Sequence, residues 1–449
     1  MATRLQFSLM VLLLLAIHPP LTAGDAGKPG MTREPGEARQ RWERMNQIRR
    51  DKFDLVLPEV LRENEIDMWI VMRREGLDDP LTPDLGGGYC GTTGFYVFTD
   101  RGGDRIERAA LGISGYLIEA GGAYDIFAGE DTLADFVAER DPKRIGVNIS
   151  KAIGAADGLS YSGYNELKER LGEPWSERLV SAEKLVSDFR SRRVASEIAG
   201  FAEAGEISRE IAERAFSNEV IVPGLTTLED VAWWMHEETF RRGLGLSFGQ
   251  PSVYITGPSG IEAISTDRVI QRGDILMLDW GVGFLNFYTD MKRIAYVLRE
   301  GETDVPDELR NAFERGAEAR TVIKNTIRAG ITAAESEKEI YAALEKAGFV
   351  QIGFNQPTDN PETTDVVIGC HSVGNEGHGI GPSIAFFNPV RIGYELRPTN
   401  LLSIELFAYT ALPSWDGAKL RVPLEDDAVL TERGIEWLYP INSGIRVIR

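Results

Sequence analysis

The pattern of apolar and polar positions changes texture near residue 190, and that change divides the chain. Before it, short apolar runs at residues 68–72 (MWIVM), 94–98 (GFYVF), 109–111 and 144–147 predict strands. Between and around them, apolar spacing over 42–64, 132–139 and 166–171 predicts helices. Strands mixed with amphipathic helices predict an α/β domain. The segments 84–88 and 89–91 read as loops, and no catalytic constellation stands out in this half. From Val186 onward, Ile207, Ile211 and Ala215 recur at helical spacing. This predicts one long helix opening a second domain, with a boundary inside 185–195.

The second half carries an internal repeat. Gly224-Leu225-Thr226-Thr227-Leu228-Glu229 and Gly330-Ile331-Thr332-Ala333-Ala334-Glu335 share the pattern G-apolar-T-x-x-E. The Thr and Glu of each copy, Thr226 with Glu229 and Thr332 with Glu335, form a capping-box signature that starts a helix. Gly243 and Gly348 are the expected stops. Two such copies in two α-then-β halves predict a duplicated unit.

Each half ends in a pair of apolar runs that contains two acids. In residues 274–293 (DILMLDWGVGFLNFYTDMKR) a Gly-rich break joins the runs. A hairpin with its midpoint between Phe284 and Leu285 sets Asp279 opposite Asp290. In the second half, residues 401–409 and 420–430 flank a turn at 413–417. Glu405 and Glu425 are each ten residues from Trp415, hence opposite each other. Opposed residues of an antiparallel pair project to one face. Adjacent carboxylates repel unless one is protonated or a cation lies between them. Glu405, flanked by Ile404, Leu406 and Phe407, is a charge in an apolar run and needs a partner. The two hairpins therefore point to one cluster of four carboxylates around a cation. His371 and His378 lie just before the second hairpin. Carboxylates with imidazole suit Mn, Co, Zn or Fe better than Mg or Ca.

Composition narrows the setting. A chain of 449 residues is long for one core, which favours two domains. With 43% hydrophobic and 26% charged residues it reads as an ordinary globular protein, and a net charge of −20 argues against a nucleic-acid partner. Arg4, an apolar run over 9–17, a Pro-Pro break and small residues to Gly24 predict a secretory signal over 1–23. The run is short for a membrane span, and no later segment reaches about 18 apolar residues. Export to a periplasm or the medium is the expected localisation. The Gly/Pro/charge-rich stretch 24–40 reads as a loose lead-in, followed by an α/β domain over 41–188 and a catalytic domain over 189–449. Cys90 and Cys370, the only cysteines, are expected to be free and buried.

At these motifs the second domain resembles the pita-bread metallopeptidase family, in its aminopeptidase P, prolidase and creatinase branch. The family's metal motif is matched in order. Asp279 sits in the D-x-G strand, and Asp290 in the T-D-x-x-R segment completed by Arg293. His371 stands in C-H-S-V-G, written where the family has a G-H-G-I-G-like segment; Glu405 stands in the T-x-E-P strand, and Glu425 in the closing segment EDDAVLT. The resemblance covers roughly residues 185–440, and the preceding region fits the creatinase-like N-terminal domain of this branch. It implies an α/β N-terminal domain followed by an α+β pita-bread domain with an internal pseudo-twofold repeat.

The resemblance also implies chemistry. Two divalent ions, of Mn, Co, Zn or Fe, would be held by Asp279, Asp290, His371, Glu405 and Glu425. Glu405 and His378 would be the catalytic residues. His378 lies in a literal G-H-G-I-G string, but the family places its catalytic histidine seven residues after the ligand, which is the spacing of His371 to His378. Choosing His378 as ligand would put Ala385 in the catalytic position. The implied activity is removal of an N-terminal residue from short peptides, Xaa-Pro peptides first, by a homodimer or higher homo-oligomer without a membrane span. Three departures bear on the substrate. The upstream active-site histidine is missing, its position falling near Ile264 or Ser265, and His236 reads as structural. Pro423 stands where an arginine often precedes Glu425, with Arg421 two residues further back. The proline after Glu405 is absent. The alternatives are a non-peptide hydrolase or lyase on the same scaffold, or a non-catalytic binding relative. Metal-free catalysis of the creatinase type would leave four buried carboxylates uncompensated.

Overall fold

The computed structural model describes residues 36–449 except residue 386, so the expected signal and residues 24–35 of the lead-in lie outside the described residues. The chain divides into a unit of residues 1–40 and a unit of residues 41–449. The helical spacing over 42–64 is realised as two helices, α1 (Glu37–Leu55) and α2 (Leu57–Glu63). Pro58 sits in the first turn of α2, where its missing N–H leaves no bond unmade.

A six-stranded sheet follows: β1 (Met68–Arg74), β2 (Tyr89–Thr99), β3 (Glu107–Ser114), β4 (Ile126–Ala128), β5 (Ile145–Val147) and β6 (Leu179–Ser181), in the order β4-β3-β2-β1-β5-β6. Helices α3 (Thr82–Leu85), α4 (Tyr116–Ala120), α5 (Leu133–Arg140) and α6 (Tyr161–Leu171) connect them. The segment read as loop over 84–91 is therefore only partly one, since Leu85 ends α3 and Tyr89 opens β2. Trp69, Phe98, Phe53 and Phe189 pack on one face of the sheet, and Ile70, Val97, Leu133 and Leu167 on the other. With both faces buried, the strands appear in sequence as continuous apolar runs.

The expected long helix from Val186 is two: α7 (Glu183–Ser191) and α8 (Ala195–Ala215), broken at residues 192–194. The cause is Glu197, a buried carboxylate that accepts hydrogen bonds from the Val194 N–H at 3.0 Å and Arg193 Nη1 at 2.9 Å, and pairs with Lys52 Nζ at 3.0 Å. These contacts hold the chain out of helix ahead of Ala195, and apolar spacing carries no trace of them.

The rest is built on an eleven-stranded sheet and a three-stranded ribbon. The strands are β7 (Gly245–Leu246), β8 (Ser252–Gly257), β9 (Gly260–Ile264), β10 (Ile275–Trp280), β11 (Val282–Phe284), β12 (Phe287–Tyr288), β13 (Met291–Val297), β14 (Phe349–Gln351), β15 (Thr364–Ile368), β16 (His371–Ser372), β17 (Leu401–Ala411), β18 (Lys419–Thr431), β19 (Gly434–Trp437) and β20 (Arg446–Ile448). The main path runs β14-β15-β17-β18-β13-β10-β8-β9. Helices α8 and α9 (Leu228–Arg241) cover β8, β10 and β13 with Ile211, Val231 and Met235 against Leu276 and Leu278. Helices α10 (Asp307–Thr326) and α11 (Ala333–Lys346) cover β15, β17 and β18 with Phe313, Ile323 and Ile340 against Ile404 and Leu424. Each half is two helices on three strands, and the halves meet where β13 pairs β18 in mid-sheet. The duplicated unit read from the sequence is the architecture of this region.

The caps agree with the repeat in one copy and shift in the other. Thr332 and Glu335 form the capping box of α11 as expected. In α9 the box is Thr227 with Asp230, one residue later than expected. Thr226 is occupied elsewhere: its hydroxyl accepts the Val222 N–H at 2.9 Å, closing the turn before the helix. Both helices end as read, with Gly243 and Gly348 at positive φ.

Candidate metal centre

The β17/β18 hairpin keeps one register from Leu401↔Val429 to Ala411↔Lys419, which places Glu405 opposite Glu425, as the sequence reading expected. The first hairpin corrects its expectation. Its turn lies at Leu285–Asn286, where Leu285 takes a φ of +57°, so Phe284 faces Phe287 and Asp279 faces Lys292 rather than Asp290. Asp290 lies in the gap before β13, and its N–H donates to Asp427 Oδ2 at 3.2 Å. Gly281 makes the break possible: a Cβ there would collide with the Thr289 carbonyl oxygen.

Both hairpins converge across the β13/β18 joint, where Lys292 pairs with Glu425. Arg293 secures the joint, its guanidinium lying 2.9 Å from Asp426 Oδ1, while Arg320 approaches Asp426 Oδ2 at 3.0 Å. Asp279, Asp290, Glu405, Glu425 and His371 come together as the motifs implied. His371 is fully buried. Its Nδ1–H donates to the Ser372 carbonyl at 3.0 Å, which presents Nε2 to the cluster, 3.4 Å from Glu425 Oε1 and 3.8 Å from both Asp290 Oδ2 and Glu405 Oε2. Neither His371 Nε2 nor Asp290 Oδ1 has a hydrogen-bond partner, although both are buried. His378 lies beside them at the surface, its side chain 59% exposed, with Nε2 4.0 Å from Asp290 Oδ2 and its ring stacked on Phe387.

Lys292 was not among the residues singled out from the sequence. Its Nζ donates to Glu405 Oε1 at 2.8 Å and Glu425 Oε2 at 2.5 Å, and lies 3.2 Å from Asp279 Oδ2. A signal existed, since Lys292 stands with Arg293 at the start of a strand that is otherwise apolar and buried throughout, a situation close to the one that identified Glu405. Burial opposes its charge, but the surrounding carboxylates outweigh that and hold the ammonium well above its usual range. Burial pushes Asp279, Asp290 and Glu405 upward. Glu425 goes the other way: burial raises it, and the Lys292 charge overcomes this and holds it below the carboxylate range. Ser403 Oγ adds a 2.6 Å hydrogen bond to Glu425 Oε1.

The cluster opens onto a cavity of 560 Å³ lined by Tyr254, Ile264, Phe354, Phe387, Phe407 and Arg421 among others. Where the upstream histidine is missing, Ile264 adds an apolar wall, and Ser265 Oγ is turned to the backbone of Val253 and Pro251. His236 stacks on Trp233 and holds Gln250 at 2.8 Å, in keeping with a structural role. Arg421 lies over the Phe407 ring at 3.9 Å. Cys90 and Cys370 are free and buried. Among the described residues no helix is long and apolar enough to cross a membrane.

A duplicated sheet with carboxylates and imidazole gathered at its centre defines a pita-bread metallohydrolase. The family model for metallopeptidase family M24 matches residues 199–432, and the chain belongs to that family. Among solved structures it is similar to an X-Pro aminopeptidase from Thermotoga maritima MSB8, with a TM-score of 0.63 and 20% identity over 87% of this chain and 99% of that one. An Xaa-Pro dipeptidase from Bacillus anthracis matches with a TM-score of 0.56 and 20% identity, over 91% and 99% of the two chains. The prolidase from Pyrococcus horikoshii OT3 gives 0.55 and 18%, over 90% and 100%. At these identities the likeness establishes the fold. A search of curated protein sequences found no match.

Proposed function

We propose that this chain is a metal-dependent exopeptidase that removes an N-terminal residue from short peptides, with Xaa-Pro peptides as its first substrate class. The observation that carries the reading is the buried, unpartnered His371 Nε2, which faces Asp290 Oδ2, Glu405 Oε2 and Glu425 Oε1, with Asp290 Oδ1 likewise buried and unpartnered. Buried polar atoms without partners are rare and call for one, and an imidazole with three carboxylates is a donor set for Mn, Fe, Co or Zn. A divalent ion therefore fits on the His371 side of the cluster. When bound, such an ion makes its water acidic and polarises a carbonyl.

The protein's own groups supply the rest. Glu405, buried where it lines the cavity, would take the attacking water's proton. His378, at the mouth, can donate to the carbonyl oxygen or the leaving amine. Phe354, Phe387 and Phe407 offer a dry wall to an apolar side chain or a proline ring. The M24 membership and the printed activities of the structural relatives support the same substrate class. The N-terminal signature supports export, and the branch it resembles supports a homo-oligomer.

The test is hydrolysis of a panel of Xaa-Pro di- and tripeptides by the metal-loaded protein. His371→Ala should lose the metal, whereas His378→Ala should keep it and lose turnover. If no peptide is cleaved while metal binds, the second reading stands: a non-peptide C–N hydrolase or lyase. Ile264, at the place of the missing histidine, is the observation that favours it.

A further inference from the structure

We propose that this centre takes one divalent ion and that the Lys292 ammonium is built in as its second cation. The inference rests on the metal-centre reading above and departs from the two ions implied by the sequence motifs. Glu405 and Glu425 each divide their oxygens. Glu405 Oε1 and Glu425 Oε2 go to Lys292 Nζ, at 2.8 and 2.5 Å, while Glu405 Oε2 and Glu425 Oε1 face His371 Nε2. This is how bridging carboxylates divide between two cations. Asp279 completes the lysine side at 3.2 Å, and Asp290 the histidine side at 3.8 Å.

The two occupants of the lysine side exclude each other. A transition-metal ion bound by those three oxygens would sit about 2.0–2.2 Å from each, inside the volume that the ammonium already fills. Lys292 is also fixed from both sides, because its backbone pairs with Asp279 in β10 and with Glu425 in β18. Its side chain is 10% exposed, with Nζ 5.6 Å from the centre of the Phe407 ring. Lys292 also lines the cavity, so a substrate arriving on that side meets a fixed positive charge in place of a coordination position.

The test is stoichiometry. The purified protein is loaded with Mn²⁺, dialysed, and assayed for metal per chain by mass spectrometry and calorimetric titration. One ion per chain and an isolated-ion paramagnetic resonance signal are expected. Lys292→Ala should rise to two ions with an exchange-coupled signal, and Lys292→Arg should stay at one. Two ions in the unaltered protein overturn the inference, as does Lys292→Ala remaining at one while folded by circular dichroism. No ion in any variant overturns the metal centre itself, so the two failures are distinguishable. If Lys292→Ala does not fold, the count on the unaltered protein still decides.

Discussion

The two acidic hairpins come from the two halves of one repeat and do different work. The β17/β18 hairpin runs in unbroken register around a compact turn, and it supplies two glutamates that each present one oxygen to either side of the cluster. The β10/β13 hairpin is interrupted by Gly281 and the β11/β12 ribbon. It supplies one aspartate on the lysine side, one on the histidine side, and the lysine itself. Duplication provided the scaffold, and the first copy alone places a lysine, Lys292, among the acids. The regular hairpin bridges, and the irregular one decides what is bridged.

That comparison can be broken most severely at its shared atoms. Glu405→Gln removes the proton acceptor and half of a bridge, and kcat should fall by about 10²–10⁴-fold with the fold intact by circular dichroism. A peptide assay on the metal-loaded protein checks this. Arg293→Ala attacks the joint between the hairpins, leaving Asp426 buried with one cation fewer. Urea unfolding should register a loss of about 3 kcal/mol or more. Gly369→Ala is subtler, because a Cβ at 369 would press first on the Glu405 carboxylate, at Oε2. Metal affinity and kcat should drop about tenfold, an effect of about 1.4 kcal/mol, and the melting temperature should move little. The smallest effects compare the caps: Thr227→Ala and Thr332→Ala should each cost about 1 kcal/mol in urea unfolding. Thr226→Ala leaves the α9 capping box in place and should cost less than Thr227→Ala; an equal or larger loss would return the first cap to the position read from the pattern.

Much of the site was legible because metal sites draw on a narrow set of residue types, and those residues sit in apolar runs where charge is conspicuous. Glu405 and Glu425 were found with their correct pairing, since a hairpin closing on a compact turn has its register set by symmetry about that turn. Asp279 and Asp290 were found with the wrong pairing. The Gly-rich break admits several turn positions, and Leu285 in a left-handed conformation is not the glycine or asparagine that would mark one. Lys292 is inconspicuous in the sequence for the same reason. With the register misplaced by two, it had no carboxylate opposite it. The single helix expected from Val186 failed on a different account, because Glu197 draws its partners from Lys52 and Arg193 as well as from the helix start.

By itself the sequence determined the duplicated architecture, the acids and histidines of the centre, and membership of a metallohydrolase family, because periodicity and residue chemistry are local properties of the chain. The tertiary structure decided which atoms face which. Strand register depends on where a turn closes, and the occupancy of the cluster depends on four strands, β10, β13, β18 and β17, lying side by side. A lysine in that run reads as one more surface charge until the sheet closes over it. Once closed, with Asp279, Glu405 and Glu425 around it, the ammonium is part of the centre.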